Sequence, residues 1–170
     1  MPKSHAFNSS LHRQPIFYLA TALILIDQAI KVGVTLVMPI GTVEQLSEWF
    51  NLVHVLNPGA AFSFLADAGG WQKYFLSIFG IIVSVILTRL LWTGVLSTSE
   101  SVAYVLLMSG ALGNVLDRLR IGAVIDYLDV HWGDLHWPAF NIADIYVVSG
   151  AFLLLITSFG ATNTNPESTP

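Results

Sequence analysis

The chain has 170 residues, of which 54% are hydrophobic and 11% charged, and its mean hydropathy is +0.67. An ordinary soluble domain is roughly 25% charged, so the composition is that of a membrane protein. A net charge of −4 with seven Lys and Arg and no basic run leaves no electrostatic footprint for nucleic acid. The absence of cysteine excludes disulfides, thiolate zinc sites and a cysteine nucleophile.

The first apolar run, Ile16 to Met38, is interrupted only by "DQAIK" at 27–31. Its start, "IFYLATALILI" after Arg13, has the look of a signal peptide. No small-residue cleavage site closes it, however, and Asp27, Gln28 and Lys31 break its end, so a membrane span is the better reading. Residues 39–70 contain "WFNLVHVLNPGAAFSFL", which is too short and too broken by Pro58 and Gly59 to span. Its β-branched and aromatic content predicts a small sheet at the membrane surface. Trp71 to Trp92 is the second span, bracketed by tryptophans at headgroup level, with Lys73 and Arg89 near enough to its ends to snorkel. Ser97 to Leu116 is the third.

Residues 117–141, "DRLRIGAVIDYLDVHWGDLHWPAFN", are expected to form an interfacial loop. In it Asp126 reads either as a solvated acid or, with Asp129, as one face of a short helix. Ile142 to Phe159 is the fourth span. The sequence therefore predicts an all-α membrane protein with four transmembrane helices and a small β-rich segment. Residues 1–162 form a single domain, and 163–170 a disordered polar tail. Four spans place both long connections on one side of the membrane. The link at 93–96 and both termini lie on the other.

Positive charges do not label the two sides. Lys3, Arg13 and Arg89 stand against Lys31, Lys73, Arg118 and Arg120. Lys31 lies one helical turn from Asp27, and Arg118 adjoins Asp117; discounting these two leaves three charges against two, which decides nothing.

The polar residues inside the apolar runs gather at one depth. Asp27 and Lys31, then Asn114, Asp117 and Arg118, then Asp126, then Asn141 and Asp144 all fall at the end nearest the long connections, with Asn57 in the first connection. Intramembrane ionisable groups are functional candidates with nameable partners. The expected pairs are Asp27 with Lys31, Asp117 with Arg118, and Asp126 with Asp144. A plainer reading exists for several of them. Asn141 and Asp144 have capping-box spacing and fit the start of any helix. Gly110 and Gly113 fit close helix packing, but packing does not explain why Asn114 and Arg118 share the face of Gly110. "DVHWGDLH" holds two His and two Asp without the spacing of a helical two-histidine zinc motif, so no metal is expected.

Five blocks in order resemble the bacterial lipoprotein signal peptidases (signal peptidase II): "DQAIK", "NPGAAFS" at 57–63, "GALGNVLDR" at 110–118, "VIDY" at 124–127 and "FNIAD" at 140–144. The resemblance implies an aspartic endopeptidase of the bacterial inner membrane. It would have cytoplasmic termini, an active site near the outer leaflet, no cofactor and no nucleic-acid partner, acting as a monomer among membrane lipids. Its substrate would be a prolipoprotein already carrying diacylglycerol, cut on the amino side of the lipidated cysteine. Asp126 and Asp144 match the catalytic pair; Asn57, Gly59, Asn114, Arg118 and Asn141 match site-lining positions, with Asp27 and Lys31 supporting. Pro58 and Ser109 depart from the usual pattern without touching the aspartates. Asp144 in the first turn of a helix has the dipole beside it, which leaves the shared proton of such a pair to Asp126.

Two other classes use buried polar groups. A proton-coupled transporter needs ionisable groups spread across the bilayer. A scaffold would tolerate Asn at 126 and 144.

Overall fold

The computed structural model describes residues 14–59 and 70–162; "AAFS" at 60–63 and the tail at 163–170 lie outside them. Its elements in order are helix α1 (Gln14–Val37), strands β1 (Val43–Gln45) and β2 (Phe50–Asn57), helices α2 (Gln72–Thr93) and α3 (Thr98–Ile121), strands β3 (Val124–Trp132) and β4 (Leu135–His136), and helix α4 (Ile142–Thr162). All four helices are long and apolar enough to cross a membrane. They also leave large apolar side chains such as Leu25, Phe79, Val85 and Phe152 exposed, as lipid-facing helices must.

Helix α3 is the hub, packing on α1, α2 and α4. Its start is fixed by a capping box. The Ser97 hydroxyl accepts from the Glu100 N–H at 3.2 Å, and the Glu100 carboxylate accepts from the Ser97 N–H at 2.8 Å. It ends at Gly122, which takes the left-handed conformation (φ 80°) and donates its N–H to the Arg118 carbonyl. The helix therefore runs five residues past Leu116, the end expected from hydropathy, because Asp117 is buried against α1 and not released to water.

Small residues allow the helices to approach. A Cβ on Gly110 would collide with the Ala143 carbonyl oxygen of α4. One on Gly150 would sit 2.8 Å from the Ala103 carbonyl oxygen of α3.

The connection between α3 and α4 is built largely on strands. Asp126 and Asp129 lie on a strand, not on a short helix. The run "VIDYLDVHW" is β-branched and aromatic, and once Gly122 has ended α3 it pairs antiparallel with β2. The sheet has the order β1-β2-β3-β4, with Val55 opposite Asp126 and Asn57 opposite Val124. A register irregularity between Leu52 and Val55 lies next to Asp126. Leu128 also bridges to Phe140, which ties the chain entering α4 to β3. Ile125 and Tyr127 pack on Val34 of α1 and on Met38 just past its end, so the sheet is seated on the ends of the helices.

Candidate active site

Asp126 is 2% exposed on β3, and both of its oxygens accept from amides. Asn57 Nδ2 donates to Oδ2 at 3.0 Å, and Asn141 Nδ2 donates to Oδ1 at 2.7 Å. Burial raises its carboxyl most and the negative charge of Asp144 adds to this. The two amides pull the other way, and the net effect is a pKa pushed up to about 6.

Asp144 lies in the first turn of α4. Its Oδ2 accepts from the Asn141 backbone N–H at 3.0 Å, while its own N–H donates to Asn141 Oδ1 at 3.1 Å. This is the reciprocal cap that the Asn141–Asp144 spacing predicts. The other oxygen, Oδ1, accepts from Asn114 Nδ2 at 2.8 Å.

Three side-chain amides thus serve two carboxylates, and each amide has its orientation fixed from behind. The Asn57 carbonyl accepts the Gly59 N–H at 2.9 Å, so its NH₂ is turned to Asp126. Gly59 makes this turn with φ 108°, and a Cβ there would also meet Leu76 at 2.8 Å. The Asn114 carbonyl accepts from Lys31 Nζ at 2.9 Å and from Asn141 Nδ2 at 3.2 Å. A flipped Asn114 would set its carbonyl on a carboxylate and its NH₂ on an ammonium.

Lys31 has no exposed surface and lies between two equally buried acids, Asp117 at 2.8 Å and Asp27 at 3.1 Å. Gln28 Nε2 donates to both acids, at 3.1 Å each, and the Ile125 N–H donates to Asp117 at 3.3 Å. Gly113 makes room for Asp27. The expected Asp27–Lys31 pair is therefore present, inside a larger cluster.

The expected Asp117–Arg118 pair is not formed. Neighbours in sequence point about 100° apart on a helix, so Asp117 turns to Lys31 and, at 3.7 Å, to Arg120. Arg118 instead donates to the Asn114 backbone carbonyl oxygen at 3.4 Å, and its strongest charge interactions are with Asp144 and Asp126. Its Nε has no partner among the described residues. The two aspartates expected as a pair are brought together through Asn141 and Asn114, by the bonds just described.

Sequence reasoning missed Gln28 and Tyr127. The Tyr127 hydroxyl accepts from the Ile142 N–H at 3.2 Å and satisfies an otherwise open donor at the start of α4. Burial pushes that hydroxyl up to about 12. Their place inside the "DQAIK" and "VIDY" blocks, next to Asp27 and Asp126, was the signal for these two residues. The Asp/His cluster of β3 and β4 is a separate brace: Asp129 accepts from Asn51 at 2.8 Å and faces His136 at 2.9 Å.

The whole arrangement is suited to acid–base chemistry. It offers two carboxylates in unequal surroundings, fixed donors around both, and a cation nearby.

Comparison with known proteins gives the family. The profile of a family described as Signal peptidase (SPase) II matches residues 19–160. The lipoprotein signal peptidase of Aeromonas hydrophila is 43% identical over 146 residues, covering 84% of this chain and 86% of that protein. That of Paraburkholderia phytofirmans is 43% identical over 155 residues, covering 91% and 89%. A bacterial membrane enzyme solved at 2.3 Å by the in meso method superposes with a TM-score of 0.79 at 28% identity, covering 92% of this chain and 94% of that one. The match spans every element that holds the site, and the chain belongs to the signal peptidase II family.

Proposed function

We propose that Asp126 and Asp144 are the catalytic pair of an aspartic endopeptidase. Family membership makes the chain a multi-pass bacterial membrane protease that removes signal peptides from prolipoproteins. The observation that carries the catalytic assignment is the network in which Asn141 and Asn114 join the two carboxylates, with Asn57 completing the first and the cap of α4 the second.

In this mechanism the carboxylate of the pair takes a proton from water, and the water oxygen attacks the scissile carbonyl carbon. The protonated partner gives its proton to the carbonyl oxygen, yielding a neutral gem-diol. Collapse of that intermediate breaks the C–N bond, and the amine leaves with a proton returned by the pair. Asp126, pushed up to about 6, is the acid of the resting pair. Arg118 and the asparagine amides supply donors for charge that develops on oxygen.

The substrate is a prolipoprotein whose cysteine already carries diacylglycerol, cut on the amino side of that cysteine. The site lies near the outer leaflet, with both termini cytoplasmic. The working unit in this reading is a single chain. A transporter would need ionisable groups along the depth of the bilayer, whereas here Asp27, Lys31, Asp117 and Asp126 form one cluster with Asn114.

The test is incubation of purified protein with a diacylglyceryl prolipoprotein, followed by gel mobility. Cleavage by the wild type and none by Asp126→Asn or Asp144→Asn is expected. Near-normal turnover in either variant overturns the pair.

A further inference from the structure

On the side of the sheet away from Asp126 lies a cavity of about 290 Å³, between the sheet-side ends of α1 and α3. Val32 and Leu36 of α1, Ile121 of α3 and Ile125 of β3 give it apolar walls, and Arg120 and His54 line it as well. Ile125 and Asp126 are consecutive on a strand and so point to opposite faces. The cavity is not an annex of the catalytic pair.

Two polar groups in this apolar setting are unexplained by the fold. Arg120 is 46% exposed, and its one ion pair among the described residues is the 3.7 Å approach to Asp117, a carboxylate that Lys31 already holds at 2.8 Å. The guanidinium is left with donors to spare at the mouth of a greasy groove. His54 is 2% exposed; its Nδ1 donates to the Met38 carbonyl oxygen at 2.7 Å, and its Nε2 has no partner among the described residues. An apolar channel continuous with lipid-facing Val32 and Leu36, a cationic fork with donors to spare and a buried, unpartnered acceptor form a complementary set. The fork matches a phosphate, the channel an acyl chain, and the acceptor a hydroxyl.

We propose that this groove binds a membrane glycerophospholipid with a hydroxylated headgroup. Its phosphate sits on Arg120, a headgroup hydroxyl donates to His54, and one acyl chain lies along Val32, Leu36 and Ile121. The occupant is a resident lipid, distinct from the diacylglyceryl substrate, and it clamps α1 to α3 behind the sheet.

The test is native mass spectrometry of the full chain in detergent, titrated with phosphatidylglycerol or with diacylglycerol of the same chains. Wild type, Arg120→Gln and the groove-filling Val32→Trp are compared, and prolipoprotein cleavage in lipid-free detergent is measured alongside. Phosphatidylglycerol is expected to bind wild type about tenfold more tightly than diacylglycerol, the loss of one charge-assisted contact. Arg120→Gln should abolish that preference, Val32→Trp should weaken both lipids, and the KM for the prolipoprotein should stay unchanged in both variants. Equal binding of the two lipids by wild type, or binding that neither substitution alters, would mean nonspecific lipid around the helices and overturns the proposal. A raised KM in Arg120→Gln with unchanged phosphatidylglycerol binding overturns it too, because the groove would then belong to the substrate.

Discussion

Burial and the charge of Asp144 outweigh two amide donors at Asp126, whose carboxyl is pushed up to about 6. Between the ordinary aspartate range near 4 and that value, the unfolded chain has lost this proton while the folded chain keeps it. Asp126 therefore stabilises the fold less as pH rises through that window. Infrared difference spectra should show a protonated carboxyl band titrating near pH 6 that Asp126→Asn removes; a band surviving in that variant would place the proton elsewhere. Asn114 is the other informative position, because its amide separates Lys31 from Asp144. Asn114→Ala is expected to lower kcat about a hundredfold, the usual effect of one lost donor. Asn114→Asp should do worse, since it sets a carboxylate on Asp144. Ala at half-buried His131, five residues along β3 from Asp126 and stacked on His136, should leave kcat within about twofold, as changes away from the reacting groups do. Lys31→Met strands two buried acids and should destabilise the protein by about 3–5 kcal/mol, read as a fall in Tm in detergent.

The packing of α3 on α4 sets the spacing of the site, since Asn114 and Asp144 come from opposite sides of that contact. Gly110→Leu would drive a side chain into the Ala143 carbonyl and Val147, at the first turn of α4. The expected outcome is loss of both thermal stability and cleavage, whereas Gly33→Ala, with open space around it, should change neither. The four helices were legible in the sequence because apolar runs of span length have few alternatives. Strand β3 was not. Its run follows a helix directly, and its pairing partner lies about 70 residues earlier, across two spans. Local pattern does not carry such a partner. The pairing of Asp117 failed for a related reason. Its neighbour Arg118 was the obvious cation by sequence, but helical geometry gives the role to Lys31 of another helix. Asp126, Asp144, Asn57, Asn114 and Asn141 were legible as a set because five ordered blocks are far more specific than any one of them.

Taken whole, the molecule puts its sheet and its polar network at one end of the bundle and the short link between α2 and α3 at the other. The sequence has no cysteine, so single-cysteine variants report sidedness without a background. Asp134→Cys, in the β3–β4 turn, should react with an impermeant maleimide added outside intact cells. Val95→Cys, fully exposed in the short link, should react only after lysis. The reverse pattern would invert the proposed orientation. Lys31 and Arg118 are partly or wholly inside the protein, so discounting them was right, and the three charges against two that remain do not set the orientation.

The buried trio of Asp27, Lys31 and Asp117 also sets a clock on synthesis. The first two belong to α1 and neutralise each other across one turn, so the first span enters the bilayer as a neutral pair. The second acid for Lys31 arrives only with α3, after α2 has been made. At roughly 5–20 residues per second, the ribosome takes several seconds to deliver it. Through that interval the nascent chain has a lysine with one partner in place of two, and α1 has no α3 to pack against. Newly made chains should therefore be most open to membrane proteases before Asp117 emerges and resistant soon after. Pulse-chase of chains stalled on either side of residue 117 would resolve the change.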